Sequence, residues 1–383
     1  MARLLQPPIT LHRPLPATPP RVIELLHPDY APGENILLVL RALDDGGVDY
    51  DTAVIAAGIV AGNIWTGFLA TRNPDGILMP IARPADGILR GCNAYFFQLP
   101  NTDVLERPYP VVVRFSDWCF PHDDLPSPWR ELRPAPDQGS SCRVTDAGWS
   151  VEKAYLVPVS SQAWWIREDM SRYTTVDRFS QVDIDSDDNT LFLRSDIHKI
   201  FDEKVFTIVP KRNISLAQDT PQPSHTEEEL SLVIHIFNAL SDAYFNATYH
   251  NRQLLPLRYS VECLFARFAW TVFSPGVLGK FLLQCLTQRS VLVFDPVARR
   301  FAVETRSPQQ TSGIYKASQS RSSSPRKRAA GEMDDEFGSV CGEDASQADS
   351  GFVDEEGLCR GRTMKRRWSG THDEVVLKRR LQP

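Results

Sequence analysis

Three stretches lying close together in the middle of the chain decide how this part folds. They read CRVTDAGWSVEKAYLVPVSSQAWW at residues 142–165, DDNTLFLRSDIHKIFD at residues 187–202 and KVFTIVPK at residues 204–211. Their apolar patterns predict a strand or hairpin around 153–159, a second strand near 189–193 and a helix from about 194 to 201. The third stretch predicts one more short strand. A hairpin followed by a helix is a shape that brings a strand residue and a helix residue onto one metal ion.

The region before these stretches changes character at about residue 21. Residues 1–20 are rich in proline, which predicts an extended lead-in, and residues 21–135 predict a mixed α+β region. Asp49 precedes the segment AVIAAGIVAG and predicts a capped helix there. The segments WTGFLATR, GILMPIA, NAYFFQL and YPVVVRF each predict a strand.

The three stretches define a central region at residues 136–215. After it, apolar residues at helical spacing over 228–249 and 259–287 predict a helical region at 216–305. Residues 306–383 predict a disordered tail, because most of this segment is rich in serine, glycine and charge and poor in aliphatic side chains. The fold class expected from the whole chain is α+β.

Composition and charge indicate where in the cell the protein is expected and which partners it is expected to have. The formal net charge is -6, whereas proteins that hold nucleic acid by electrostatics alone are usually basic. The seven cysteines form no CxxC pair, which argues against a zinc knuckle and against a dense disulfide framework. No apolar run is long enough for a membrane span. We therefore expect an intracellular protein, nuclear or cytoplasmic, with no membrane partner.

The order of the central stretches is similar to that of the HNH endonuclease domain found in a family of filamentous-fungal proteins. In that family the corresponding strings run like CRVTN, VAHLVP, NALLLRSDLHKLFD and FAIVPK. The segments RFSDWCFPHDDLPSPW, DYDTAVIAAGIVAGNIWTGFL and CLFARFAWTVF also resemble the family, so the likeness extends over residues 21–300. The resemblance implies a ββα-metal unit that hydrolyses phosphodiester bonds of nucleic acid, with DNA as the expected substrate and one divalent metal ion (Mg, Mn, Ni or Zn) as cofactor.

The resemblance also implies a role for three residues of this chain. His198 matches the helix histidine that binds the metal, and Asn189 matches the asparagine that holds the loop or the backbone of the base. The histidine that acts as general base on the attacking water is replaced by Tyr155. Tyrosine has an ordinary pKa near 10 and histidine near 6.5, so this replacement predicts impaired catalysis. Glu152, the nearest carboxylate, should point to the other face of the strand because it is three positions away.

Each of these residues also has a simpler interpretation. His198 could be an ordinary helix histidine, Asn189 a turn residue after two aspartates, and Asp196 a first-turn carboxylate that favours the helix dipole. Cys142 is expected to be a small buried side chain. Trp164 and Trp165 could stack on bases, but packing in a core or an interface is the commoner use of such side chains and is the one expected.

Two functions follow from these alternatives. One is a nuclease weakened by Tyr155. The other is an inactive pseudo-nuclease that serves as an interaction module, with protein partners possible through the tail. The basic clusters at 326–328, 365–367 and 378–380 are consistent with nuclear import or with plain solvated charge.

Overall fold

A computed structural model of the chain describes residues 21–100, 108–134, 139–175, 184–212, 230–238, 243–256, 258–295, 297–298 and 300–320. The predicted lead-in, the three basic clusters and most of the predicted tail lie outside these ranges. Within them, helices and several small sheets alternate along the chain, which confirms the predicted α+β class.

Fourteen strands and seven α-helices lie in the described residues. The strands are β1 (Val22–Leu26), β2 (Ile36–Arg41), β3 (Val48–Asp49), β4 (Phe68–Arg72), β5 (Leu78–Pro80), β6 (Ile88–Leu89), β7 (Ala94–Gln98), β8 (Val111–Val112), β9 (Val151–Tyr155), β10 (Thr190–Arg194), β11 (Phe206–Arg212), β12 (Leu230–Ile236), β13 (Arg289–Asp295) and β14 (Arg300–Arg306). The helices are α1 (Tyr50–Val60), α2 (Gln162–Arg167), α3 (Ser195–Asp202), α4 (Ala243–Tyr249), α5 (Val261–Val272), α6 (Pro275–Leu283) and α7 (Pro308–Ser320).

The N-terminal strands form a five-stranded sheet in the order β2-β1-β7-β4-β5. Strand β1 runs antiparallel to β2 and parallel to β7, and β4 runs antiparallel to both β7 and β5. Helix α1 begins where predicted, because the Asp49 side chain accepts a hydrogen bond from the Thr52 backbone N–H at 2.8 Å. Its alanine-rich surface is buried, as its small side chains permit close packing.

Four smaller sheets complete the fold, namely β9 with β10, β11 with β12, β3 with β6, and β13 between β14 and β8. Helix α5 belongs to the hydrophobic core, and its Phe265 and Phe268 side chains are fully buried. Trp129 packs on both rings, at centroid distances of 5.0 and 5.4 Å. Residues from the N-terminal sheet, the central hairpin and the C-terminal helices thus share one core.

No single helix in the described ranges is long and apolar enough to cross a membrane. Helices α5 and α6 reach that length and composition only as a pair, and the pair is bent by 44°. Most side chains of both helices are buried in the core.

The structure corrects the predicted helix at 228–249. Leu230–Ile236 is strand β12, paired antiparallel with β11 from Phe206↔Ile236 to Arg212↔Leu230, and only Ala243–Tyr249 is helical. A short apolar run such as LSLVIHI has no periodicity that separates a buried strand from a helix. The predicted tail also begins too early: Pro308–Ser320 forms helix α7, with Ile314 and Thr311 buried.

A buried histidine makes the stability of this fold dependent on pH. His27 is fully buried, its Nδ1 accepts from the Asp29 backbone N–H, and its Nε2 lies 3.1 Å from the Tyr109 carbonyl oxygen. Burial lowers the pKa of His27 to about 3, with a smaller lowering from Arg289. In the unfolded chain this histidine has an ordinary pKa near 6.5. Between that pH and about 3, the unfolded chain therefore binds a proton and the folded chain does not.

We expect His27 to remove up to about 1.4 kcal/mol of unfolding free energy per pH unit as the pH falls from 6.5 towards 3. Urea unfolding at pH 7, 6 and 5 checks this by comparing the wild type with His27→Gln. The difference between the two proteins should change with pH in that window. A difference that stays constant would show that His27 is equally basic in the folded and unfolded states.

Candidate functional site

The three central stretches fold into a hairpin followed at once by a helix. Strands β9 and β10 pair antiparallel from Thr190↔Tyr155 to Arg194↔Val151, and α3 begins at the next residue, Ser195. Pairing is favoured because Ala154, Leu191 and Leu193 are buried while other hairpin side chains reach the surface. The second strand and the helix lie within one residue of their predicted positions, whereas the first strand covers Val151–Tyr155 rather than 153–159.

The hairpin is fastened to the rest of the fold by buried groups. Cys142 is fully buried, as predicted, and the Arg143 backbone N–H donates to the Phe192 carbonyl oxygen at 2.9 Å. Trp164 and Trp165 of α2 are buried at 3% and 1% exposure, which confirms the predicted core role of both. Trp164 stacks on Trp118 at a centroid distance of 5.7 Å.

Tyr155 lies at the end of β9 with its hydroxyl close to a carboxylate. The hydroxyl donates to Asp185 Oδ1 at 2.7 Å. Burial raises the pKa of Tyr155 to about 12, and the neighbouring Asp185 carboxylate adds to the increase. At neutral pH this phenol is therefore fully protonated. Its proton already points to Asp185, and it cannot accept a proton from a water molecule as a histidine would.

Asn189 is fully buried in a 3₁₀ turn over Asp187–Asn189. Its Oδ1 accepts from the Val157 backbone N–H at 2.9 Å, and its Nδ2 donates to the carbonyl oxygens of Val157 and Ile184 at 3.0 and 2.8 Å. The side chain therefore fixes the segment that follows Tyr155 to the segment that carries Asp185. This role is positional, since all three bonds go to backbone groups.

His198 projects from α3 and lies between two carboxylates. Its Nδ1 is 2.9 Å from Glu152 Oε2, and its Nε2 is 3.5 Å from Asp202 Oδ2. The histidine side chain is 18% exposed, whereas Glu152 and Asp202 are about half exposed. Glu152 of β9 thus contacts one ring nitrogen of His198. Asp202, one helical turn after His198, lies near the other nitrogen. Asp196, in the first turn of α3, pairs instead with Arg194 at 2.7 Å.

The structure brings Tyr155 and Asn189 side by side, because the Leu156 backbone N–H donates to the Asn189 carbonyl oxygen at 2.8 Å. His198 meets the same strand at Glu152, three positions before Tyr155. Glu152 and Tyr155 contact different groups, as expected for strand residues an odd number of positions apart. Asp185, the partner of Tyr155, was missed in the sequence, where the only signal was the run of acids in DIDSDD.

The donor atoms around His198 offer a divalent cation an incomplete set of ligands. His198 Nε2 and Asp202 Oδ2 are suitable donors, and Glu152 at the other nitrogen is placed as the carboxylate that orients a metal-bound histidine. In the part of the chain that the structure describes, these three residues do not bring three donor atoms within 4.8 Å of one another. Water would have to complete the coordination, as it does at many Mg²⁺ sites.

The carboxylates beside His198 lie on an exposed part of the protein, with Glu152 and Asp202 about half exposed. Two surface cavities, of about 600 and 410 Å³, are lined by residues outside 142–209. Trp149, 69% exposed, lies just before the hairpin, and the Arg194 guanidinium is 5.8 Å from its ring centroid. An exposed surface of this kind suits an extended polymer or a protein better than a small molecule, which is usually held in a concave pocket.

Comparison with known proteins gives one match. Residues 142–209 match a family model described as HNH endonuclease. No curated protein and no solved structure matches the chain. The matched segment contains the hairpin, α3 and the first part of β11, together with Tyr155, Asn189 and His198. This chain thus carries, at residues 142–209, a domain similar to the HNH endonuclease family.

Proposed function

We propose that the protein is an HNH-family nuclease-like protein whose metal-dependent hydrolysis of nucleic acid is weakened or lost because Tyr155 occupies the general-base position. The observation that carries this proposal is the state of Tyr155. Its hydroxyl donates to Asp185 at 2.7 Å and its pKa is raised to about 12. Loss of a general base typically costs a factor of about 100 to 10,000 in rate.

His198 and Asp202 are the residues that we assign to the cation, with Glu152 as a positioning residue behind His198. The bound cation, one of Mg, Mn, Ni or Zn, would stabilise the charge of the scissile phosphate and of the leaving oxygen. Glu152 fixes the orientation of the ring through the 2.9 Å contact at Nδ1. Asn189 keeps the hairpin end in place through its three backbone hydrogen bonds.

For nucleic acid, we propose contacts with Trp149, Arg194 and the exposed Lys199 beside His198. An exposed indole can stack on a base, and the two cations suit phosphate groups. However, Arg194 forms an ion pair with Asp196, and Lys153 forms one with Asp187. These carboxylates neutralise much of the positive charge on this surface. Binding should therefore be weak in the absence of a divalent cation. DNA is the proposed substrate, from the family match alone.

The alternative is a catalytically inactive pseudo-nuclease that acts as a protein-interaction module inside the cell. Two observations favour this alternative. The Tyr155 hydroxyl donates its proton to Asp185, and the surface of the hairpin is rich in acidic side chains. In this case the hairpin and helix persist because they complete the shared core, and partners bind the surface or the tail. A nuclear or cytoplasmic location is proposed for both functions.

Plasmid nicking by the purified full chain tests the nuclease proposal. Mg, Mn, Ni and Zn salts are added separately to the wild type, His198→Ala and the matched control His122→Ala. His122 lies outside the matched domain and hydrogen-bonds Tyr173. We expect slow, metal-dependent nicking that His198→Ala abolishes and His122→Ala retains. Wild-type cleavage at a rate typical of active nucleases would contradict the assigned effect of Tyr155, and nicking that survives His198→Ala would contradict the site.

A further inference from the structure

A second cluster of polar side chains lies buried away from the hairpin. Asp44, which follows β2, is 3% exposed, and its Oδ1 accepts hydrogen bonds from Lys211 Nζ at 2.7 Å, His250 Nε2 at 2.8 Å and Asn251 Nδ2 at 2.6 Å. Its Oδ2 accepts from the Asp49 backbone N–H at 2.9 Å. Lys211 also donates to Asn251 Oδ1 at 2.7 Å. The cluster therefore joins a loop of the N-terminal region to β11 and to the segment after α4.

A histidine next to this cluster lacks hydrogen-bond partners among the described residues. His235 on β12 is fully buried, and neither of its ring nitrogens has a hydrogen-bond partner among the described residues. Its ring centroid is 4.9 Å from that of His250. Thr207, paired with His235 across the β11–β12 ladder, also has a buried hydroxyl without a partner in the same ranges. Buried polar groups are seldom left in this state, so an additional species is expected beside His235.

Three side chains in this part of the protein place possible metal-binding atoms close together. Asp44, His235 and His250 each offer a ligand atom within 4.8 Å of the other two, and all three are buried. His250 Nδ1 accepts a hydrogen bond from the Ile236 backbone N–H, so this ring carries one proton and is neutral, the form in which histidine binds metals. Ligands of a tetrahedral zinc ion at roughly 2.0–2.1 Å lie about 3.3 Å apart, so small side-chain movements would suffice.

We propose that Asp44, His235 and His250 form a structural site for one divalent transition-metal ion, with Zn²⁺ the best match to two imidazoles and a carboxylate. This site is separate from the His198 site. His250 Nδ1 accepts from the Ile236 backbone N–H at 3.2 Å, which leaves Nε2 to face Asp44. For Nε2 to bind the ion as part of a neutral imidazole, the ring proton of His250 moves from Nε2 to Nδ1, and the contact between Nδ1 and the Ile236 backbone N–H is lost.

Lys211 disfavours the binding of such an ion, because its ammonium group already neutralises the charge of the Asp44 carboxylate. Two features reduce the conflict. Lys211 keeps a second acceptor in Asn251 Oδ1, so it can move away from Asp44 without losing both bonds. The Asp49 carboxyl, buried where it caps α1, is a further acidic group, and the Asp49 backbone N–H is 2.9 Å from Asp44 Oδ2. The competing occupant is a buried water molecule, which would satisfy His235 without binding metal.

Metal analysis of the full chain decides between the ion and the water. The protein is produced in zinc-supplemented medium, purified without chelator, and its zinc content is measured by mass spectrometry. We use His198→Ala as the background, so that the other site is removed. We expect about one equivalent of zinc in His198→Ala and none in the double variant His198→Ala/His235→Phe. His235→Phe keeps a ring of similar size and removes no observed hydrogen bond, so it should fold.

A thermal readout accompanies the zinc content. Each protein is unfolded, refolded with or without ZnCl₂, and melted. Zinc should raise the melting temperature of His198→Ala by several degrees and leave the double variant unchanged, because only binding to the folded state stabilises it. His198→Ala that carries no zinc and melts at the same temperature with and without ZnCl₂ would overturn the proposal, whatever the double variant does. Equal zinc contents in the single and double variants would also overturn it. None of these outcomes depends on nuclease activity.

Discussion

Tyr155→His is expected to increase the rate of metal-dependent plasmid cleavage by about 100- to 10,000-fold over the wild type. The substituted imidazole has an ordinary pKa near 6.5 and can take a proton from water at neutral pH. The wild-type phenol cannot, because its pKa is raised to about 12 by burial and by Asp185. Asp185, which accepts the phenol proton at 2.7 Å, is placed to accept a ring N–H and hold the imidazole in position.

Single-turnover nicking in the best of the four metals is the measurement, with two controls. Tyr155→Phe removes the hydroxyl without adding a base, so it should cleave no faster than the wild type. Tyr155→His/His198→Ala should lose the gain, because the cation is then no longer held. If Tyr155→His and Tyr155→Phe cleave at the same rate as the wild type, Tyr155 is not at the position of the base, and the interaction-module function becomes the better proposal.

Lys211→Met is expected to lower the free energy of unfolding by about 3–5 kcal/mol, since it leaves a buried carboxylate without its cation. Lys211 and Asp44 are only 3% and 2% exposed, and their charged atoms are 2.7 Å apart. The pKa of Asp44 is held well below its usual range by Lys211 and His250 in spite of its burial. Asp44 therefore stays ionised, and His250 and Asn251 alone would have to compensate for the charge.

Lys280→Met is the matched control for this experiment. Lys280 and Glu24 are also 2.7 Å apart, but their side chains are 41% and 25% exposed. Exposed ion pairs contribute at most about 1 kcal/mol, so this variant should lose little. Urea unfolding of both variants in buffer with chelator gives the comparison. Equal losses from the two substitutions would mean that burial does not strengthen the Asp44–Lys211 pair.

Much of the local structure could be predicted because its causes lie within a few residues. Asp49 precedes an alanine-rich segment and caps α1 as its position indicated. The hairpin of β9 and β10 and helix α3 also follow from short patterns. Residues 142–209, which match the HNH endonuclease family model, contain these segments. Local propensity and residue spacing were sufficient here because neighbouring residues supply the decisive interactions.

Where distant pairing decided the structure, the sequence was ambiguous. The LSLVIHI segment was predicted to be helical, yet it is strand β12 because β11 lies beside it and supplies its hydrogen bonds. The spacing of apolar residues cannot show that a partner strand is present. In the same way, the sequence predicted Tyr155 and His198, but only the structure showed that burial and Asp185 raise the pKa of the phenol and that Glu152 contacts the imidazole.

By itself, the sequence determined the class of the fold and the hairpin and helix over residues 151–202, and it predicted Tyr155, Asn189 and His198 as site residues. The tertiary structure decided the environment of those residues and revealed the buried cluster at Asp44. Asp44 and His250 are 206 positions apart in the chain, and no motif links them. The physical reason is that charge, burial and hydrogen bonding depend on distances in space, which chain folding sets and sequence spacing does not record.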